Sequence, residues 1–351
     1  MGNTVEKVTV KPRYEFIDIL RIVACFFVIV THTIGFVFLE ETTTSPTWFA
    51  AITWFFISKW SVPVFVMISG YTMLDRQDSY KKSFQRVWRM LLVLCIFSLG
   101  YYLFQWLLGD RVTIGIIDFI LAVLHNPLSL AFWYLYMYIG LLIMMPLLQK
   151  LVSVLGKRDC EYIIGLSLLI NGVWPIVEHW CPALTTTEFF DFALFDSYVA
   201  MLMIGYYIKK YVVASKRLNI LALIGFVACV MFNVLMTYHE YLLKGGNDYL
   251  VYDPCVYLPI ILEGACVFYL ASNISIKGNW LKFIKLVSGC TLGIFLISDF
   301  VMGVTQFIYR ILCMKGVPAI ISIIIYEIII FMIGFAATLI MKKIPLLKKI
   351  L

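Results

Sequence analysis

Several residues able to do chemistry stand where chemistry is expensive, inside apolar runs. The stretch 14–38 is almost wholly apolar, yet it carries Glu15, Asp18, Arg21 and His32. On an α-helix, the spacing of Arg21 and His32 is three turns plus about 20°. Both would lie on one stripe, about 16 Å apart along the axis. Histidine titrates near neutrality and suits proton transfer at physiological pH. The plainer place for His32 is a core imidazole bonded to a neighbouring helix. Arg86 and Arg89 are also on one helical face, beside Lys81 and Lys82. Arginine can bind phosphate oxygens bidentately. Ordinary topology-setting charge explains the two lysines equally well. Glu263, Asp299 and Glu327 are carboxylates in apolar surroundings. One of them could orient His32, but the sequence does not choose. No CxxC and no Cys/His metal spacing occurs, so no metal site is expected.

These residues sit in a chain whose composition demands lipid. Of 351 residues, 62% are hydrophobic and 14% charged, with a mean hydropathy of +0.92. Soluble domains carry about 45–50% apolar and about 25% charged residues. A membrane-crossing helix needs about 20 mostly apolar residues. That rule gives about ten transmembrane helices, at 14–38, 49–74, 84–108, 132–149, 162–180, 194–212, 218–238, 254–275, 287–309 and 318–341. Residues 113–124 are too short to cross and read as interfacial. The expectation is one all-α bundle over 14–341, with polar tails at 1–13 and 342–351. The first apolar run is too long for a cleavable signal and reads as a retained span.

Orientation follows from charge. With a cytoplasmic N-terminus, 22 of the 28 Lys and Arg fall in inner segments, alternating correctly across all ten spans. Both termini are therefore expected in the cytoplasm. The net charge of +7 is then a matter of topology and implies no nucleic acid. Most of the nine cysteines lie in apolar runs and read as small apolar residues. Cys181 and Cys255 fall in outer segments and could pair. His125, His179 and His239 read as surface residues. Trp133, Tyr134, Tyr136, Tyr138, Trp174 and Trp180 gather toward the outer face, as an aromatic belt or a stacking floor for sugar rings.

Five segments resemble the acyltransferase-3 family of membrane acyltransferases. YEFIDILRIVACFFVIVTHT (14–33) is similar to its first helix, with an arginine, ten residues and a histidine. VPVFVMISGYTML (62–74) resembles its second helix. FQRVWRML (84–91) carries its R-x-x-R in Arg86 and Arg89. FWYLYMYIGLLIMMPLL (132–148) and TLGIFLIS (291–298) resemble later signatures. The matches run in family order over most of the chain.

The resemblance implies a multi-pass protein of a bacterial-type inner membrane and an acyl-CoA donor, usually acetyl-CoA, taken from the cytoplasm. The implied acceptor is a hydroxyl of a surface glycan or lipid-linked sugar. It implies His32 as base or thioester orienter, with Arg21 supporting it, and Arg86 and Arg89 as the CoA anchor. Ser69 would shape the site, or serve as a packing contact beside Gly70. Trp133 and Tyr136 would meet the sugar. The chain departs from the family twice: Phe132, not histidine, precedes Trp133, and Ser298–Asp299 replaces a His-Pro pair. The extra hydrolase-like domain of some members is not seen. The rival readings are a transporter, for which no inverted repeat argues, and a non-catalytic export subunit.

Overall fold

The computed structural model describes residues 14–42, 45–109, 111, 114–185, 196–244, 254–274 and 280–351. Among them the secondary structure is helical, with no strand. In order, the helices are α1 (Glu15–Thr33), α2 (Gly35–Phe38), α3 (Pro46–Ser58), α4 (Ser61–Met73), α5 (Tyr80–Leu107), α6 (Ile116–His125) and α7 (Trp133–Val154). Then come α8 (Lys157–Ser167) and α9 (Trp174–Trp180), joined by a π-helical turn, and α10 (Ser197–Tyr211). The chain continues through α11 (Lys216–Lys244), α12 (Leu258–Ser272), α13 (Trp280–Ser288), α14 (Thr291–Met314), α15 (Ala319–Met341) and α16 (Pro345–Ile350).

Local chemistry explains the irregular elements. Ser45 and Ser79 cap α3 and α5 by accepting from Trp48 N–H and Lys82 N–H. Pro63 has no N–H to offer the carbonyl of Lys59 four residues earlier. The span expected at 49–74 therefore breaks at Lys59–Trp60 into α3 and α4. Glu15 and Asp18 occupy the first turn of α1, where the helix dipole favours anions. α6 has no buried residue, in keeping with the interfacial placement of 113–124.

Among the described residues, eight helical runs are long and apolar enough to cross a bilayer. The other two expected spans are α10 and α12, of 15 residues each. Such helices are about 22 Å long, short of a hydrocarbon core of about 30 Å. They pack at the centre: every residue from Val199 to Tyr206 of α10 is buried. The ten expected spans thus become eight long helices and two short ones shielded by protein.

One end of the bundle gathers the chain's basic loops. Lys209 Nζ lies 2.7 Å from Asp75 Oδ2 and 5.6 Å from the Tyr14 ring. Arg89 Nε donates to the Ile350 carbonyl at 2.9 Å. The start of α1 and the C-terminal helix therefore share this end. Residues 1–13, expected as a tail, lie outside the described residues. Residues 342–351 are not a loose tail: α16 folds back on α5, with Ile350 buried.

Asp78 is the hub of this end. Arg86 pairs with it at 2.6 Å, Lys82 pairs with it as well, and Asp78 N–H donates to Gln149 at 3.1 Å. Burial alone would raise its pKa. Hydrogen bonds from Lys82 and Arg86 outweigh that and bring it down to about 2. A depressed carboxylate contributes stability above its unfolded value, lost as pH falls through its folded one. Asp78→Asn should cost about 2 kcal/mol at pH 7. The difference from wild type should close between pH about 4 and about 2, read as thermal midpoints in detergent.

Two sequence expectations change here. Cys181 and Cys255 are both free thiols, so the suggested disulfide is not formed. Cys255 Sγ instead lies 3.7 Å from Tyr198 Oη. His179 is no plain surface residue. It sits 2.7 Å from the buried carboxylate of Glu240 and joins α9 to α11.

Candidate active site

A cavity of about 800 Å³ runs along α1, toward the upper end of the roughly 300–1,000 Å³ common for ligand sites. Arg89, Met90, Ser288, Gly289 and Leu351 line it at the basic end. Arg21 and Ser69 line it farther in, then Thr31, His32 and Lys59. Trp133, Tyr134, Tyr198 and Pro254 complete the wall from α7, α10 and the segment before α12. Arg21 and His32 thus face one space, as their spacing on one stripe predicts.

The outer part of α1 is clamped on both sides of His32. The Thr31 hydroxyl is 2.9 Å from the Phe27 carbonyl and 3.0 Å from Ser58 Oγ on α3. The Thr33 hydroxyl is 2.9 Å from the Ile29 carbonyl and 3.2 Å from Glu327 Oε1 on α15. Trp54 Nε1 donates to the other Glu327 oxygen at 3.1 Å. Glu327 therefore ties three helices around the histidine. At the other end of α1, Ser288 Oγ donates to the buried Asp18 at 2.7 Å. Both ends of the Arg21–His32 stripe are fixed by polar contacts to other helices.

The other two carboxylates separate. Glu263 accepts from Asn233 Nδ2 at 2.9 Å, joining α12 to α11, and does not line the cavity. Asp299 accepts from Leu130 N–H at 3.3 Å and lines a second, much smaller cavity that His32 also lines.

The sequence-derived site residues divide unevenly. His32, Arg21, Arg89, Ser69 and Trp133 share the main cavity. Ser69 Oγ reaches Tyr138 Oη at 3.2 Å, and Tyr138 stacks on Tyr134 with ring centroids 5.7 Å apart. Arg86 and Tyr136 are not on the cavity wall. Arg86 is held by Asp78, and Tyr136 donates to the Val123 carbonyl at 2.6 Å. The expected aromatic belt is likewise divided. Trp133, Tyr134 and Tyr138 line the cavity, while Trp174 donates to Glu178 at 3.0 Å and Trp180 packs on His239. Lys59, which the motifs do not include, also lines the cavity. A lysine deep in an apolar run is a functional suspect by cost alone, and a proline four residues on is the signal in the sequence for the helix break beside it.

The class is plain from fold and site: a polytopic membrane-helix bundle enclosing a long, partly cationic cavity with a histidine on its wall. A family model described as an acyltransferase domain matches residues 14–342, and the chain belongs to that family, the acyltransferase-3 family. It is a membrane acyltransferase. No curated protein and no solved structure matches it.

Proposed function

We propose that this membrane acyltransferase moves an acetyl or similar short acyl group from acyl-CoA to a hydroxyl of a cell-envelope or surface glycan. Its setting is a bacterial-type inner membrane, with the basic end of the bundle in the cytoplasm. The observation that supports this reading best is one continuous cavity lined by Arg89 at the basic end and by His32 farther along. CoA carries phosphates at one end and its thioester at the other. A channel with arginine near its entrance and an imidazole deeper inside matches that polarity.

In this reading His32 takes the proton of the acceptor hydroxyl as its oxygen attacks the thioester carbonyl. The tetrahedral adduct collapses by expelling CoA thiolate, which receives that proton from His32. Arg21, between the two ends, holds the donor's arm along the stripe. Arg89 holds a phosphate, and Arg86 keeps the basic end in shape through Asp78. Trp133 offers a face for a sugar ring and Ser69 shapes the wall, while Tyr136 serves the scaffold.

The test is the purified protein in liposomes with labelled acetyl-CoA on the basic side and cell-envelope glycans as acceptor. Label should move to glycan. Arg89→Ala should raise KM for acetyl-CoA about tenfold or more, the loss of one charge-assisted phosphate contact of about 1.5–3 kcal/mol. Absence of transfer by the wild type would overturn the reading.

A further inference from the structure

At its basic end the main cavity meets α16, a helix of only six residues that folds back on α5. Leu351 lines the cavity there beside Arg89, Met90, Ser288 and Gly289. One residue earlier, the Ile350 carbonyl accepts from Arg89 Nε at 2.9 Å. The guanidinium read above as the phosphate anchor thus already holds a neutral acceptor. The attachment of α16 is slight. A helix this short does not persist by itself in water. Ile350 is its one buried side chain, while Lys348 and Lys349 are exposed. Just before α16 the chain is fixed, because Lys342 Nζ donates to the carbonyl of Gly289 on the cavity wall. That leaves Ile344, whose extended backbone joins α15 to α16, as the hinge.

We propose that α16 is a strap over the donor end of the cavity, displaced when acyl-CoA enters. A CoA phosphate replaces the Ile350 carbonyl on Arg89, and the residues after Ile344 lift from the mouth. The exchange favours the phosphate. Both members of an arginine–phosphate pair are charged, and the planar guanidinium can meet two oxygens at once. A peptide carbonyl offers one neutral oxygen. Leu351 moves with Ile350, which opens the stretch of wall beside Arg89. Local opening of this kind belongs to segments with few buried apolar contacts, and α16 is one. Strap and cofactor compete for one guanidinium, so the apparent affinity for CoA is the intrinsic affinity reduced by the fraction of molecules that stand open.

The inference rests on the reading of Arg89 as phosphate anchor, and its test keeps the two apart. In hydrogen exchange of the whole purified protein, read by mass spectrometry, saturating CoA should speed exchange across residues 345–351 at least threefold. Ile350→Gly removes the buried side chain and weakens the short helix without adding charge. This variant should bind CoA at least threefold more tightly in calorimetry, and CoA should no longer change its exchange at 345–351. Binding of CoA by the wild type with unchanged or slower exchange there would overturn the strap and leave the functional reading standing. Weaker binding of CoA by Ile350→Gly would overturn it too, since α16 would then help to hold the cofactor. If the wild type does not bind CoA, the functional reading fails and the strap falls with it.

Discussion

A His32→Ala protein is expected to fold, reach the membrane and bind acyl-CoA with near-normal affinity, yet transfer acyl groups about 10²–10⁴ times more slowly, the usual worth of a general base. The fold should survive because His32 is a cavity-lining residue whose neighbours do the clamping. Thr31 and Thr33 hold α1 to α3 and α15 without it, and alanine is the best helix former. Affinity should survive because Arg89, at the basic end, is far from the imidazole on the scale of the Arg21–His32 spacing, about 16 Å. A loss confined to kcat is the signature of an interaction made in the transition state. His32→Gln should be as slow as His32→Ala, since an amide can hydrogen-bond but cannot take a proton at neutral pH. Either variant at wild-type kcat would remove His32 from the reaction.

The contrast between His32 and Arg86 marks how far the sequence could be read. Helical periodicity is a local property, so Arg21 and His32 could be placed on one stripe with no knowledge of what faces it. The same periodicity placed Arg86 and Arg89 on one face, but three positions on a helix span about 300° of rotation, leaving some 60° between them. Only packing decides which of two such neighbours turns inward. Here Asp78, from the turn before α5, takes Arg86, and Arg89 is left to the cavity and the α16 carbonyl. Tyr136 fails for the same reason, being drawn off by the Val123 carbonyl. Hydropathy marked ten apolar segments because it measures transfer out of water. It does not distinguish lipid from protein as the new surroundings, so it gave no sign that α10 is shorter than its neighbours and buried by them. Which carboxylate shares a cavity wall with His32 was illegible for a related reason: Asp299 is brought there by the crossing of α14 over α1, a contact between residues far apart in sequence.

That crossing depends on the centre of the bundle, where the largest structural effect is expected. Gly205→Val should yield no folded protein, a loss beyond the roughly 4–5 kcal/mol that marks exceptional single substitutions. Gly70 on α4 and Gly205 on α10 face each other. A Cβ on Gly70 would sit 1.9 Å from the Leu202 carbonyl oxygen, and one on Gly205 would sit 2.1 Å from that of Met67. Each obstacle is a backbone carbonyl three residues before the opposite glycine, so no rotamer change can make room. Small residues let membrane helices approach this closely and gain packing contacts along the seam. Pushing α10 away would also move Ser69, next to Gly70, and Tyr198, one turn before Leu202, both on the cavity wall. Gly140→Ala is the control, since nothing lies within 4 Å of a Cβ added there. In gel filtration after detergent extraction, Gly140→Ala should elute as wild type, and Gly205→Val should aggregate or fail to accumulate. A monodisperse, active Gly205→Val protein would mean that α4 and α10 do not meet at these glycines, and the cavity wall between Ser69 and Tyr198 would have to be drawn differently.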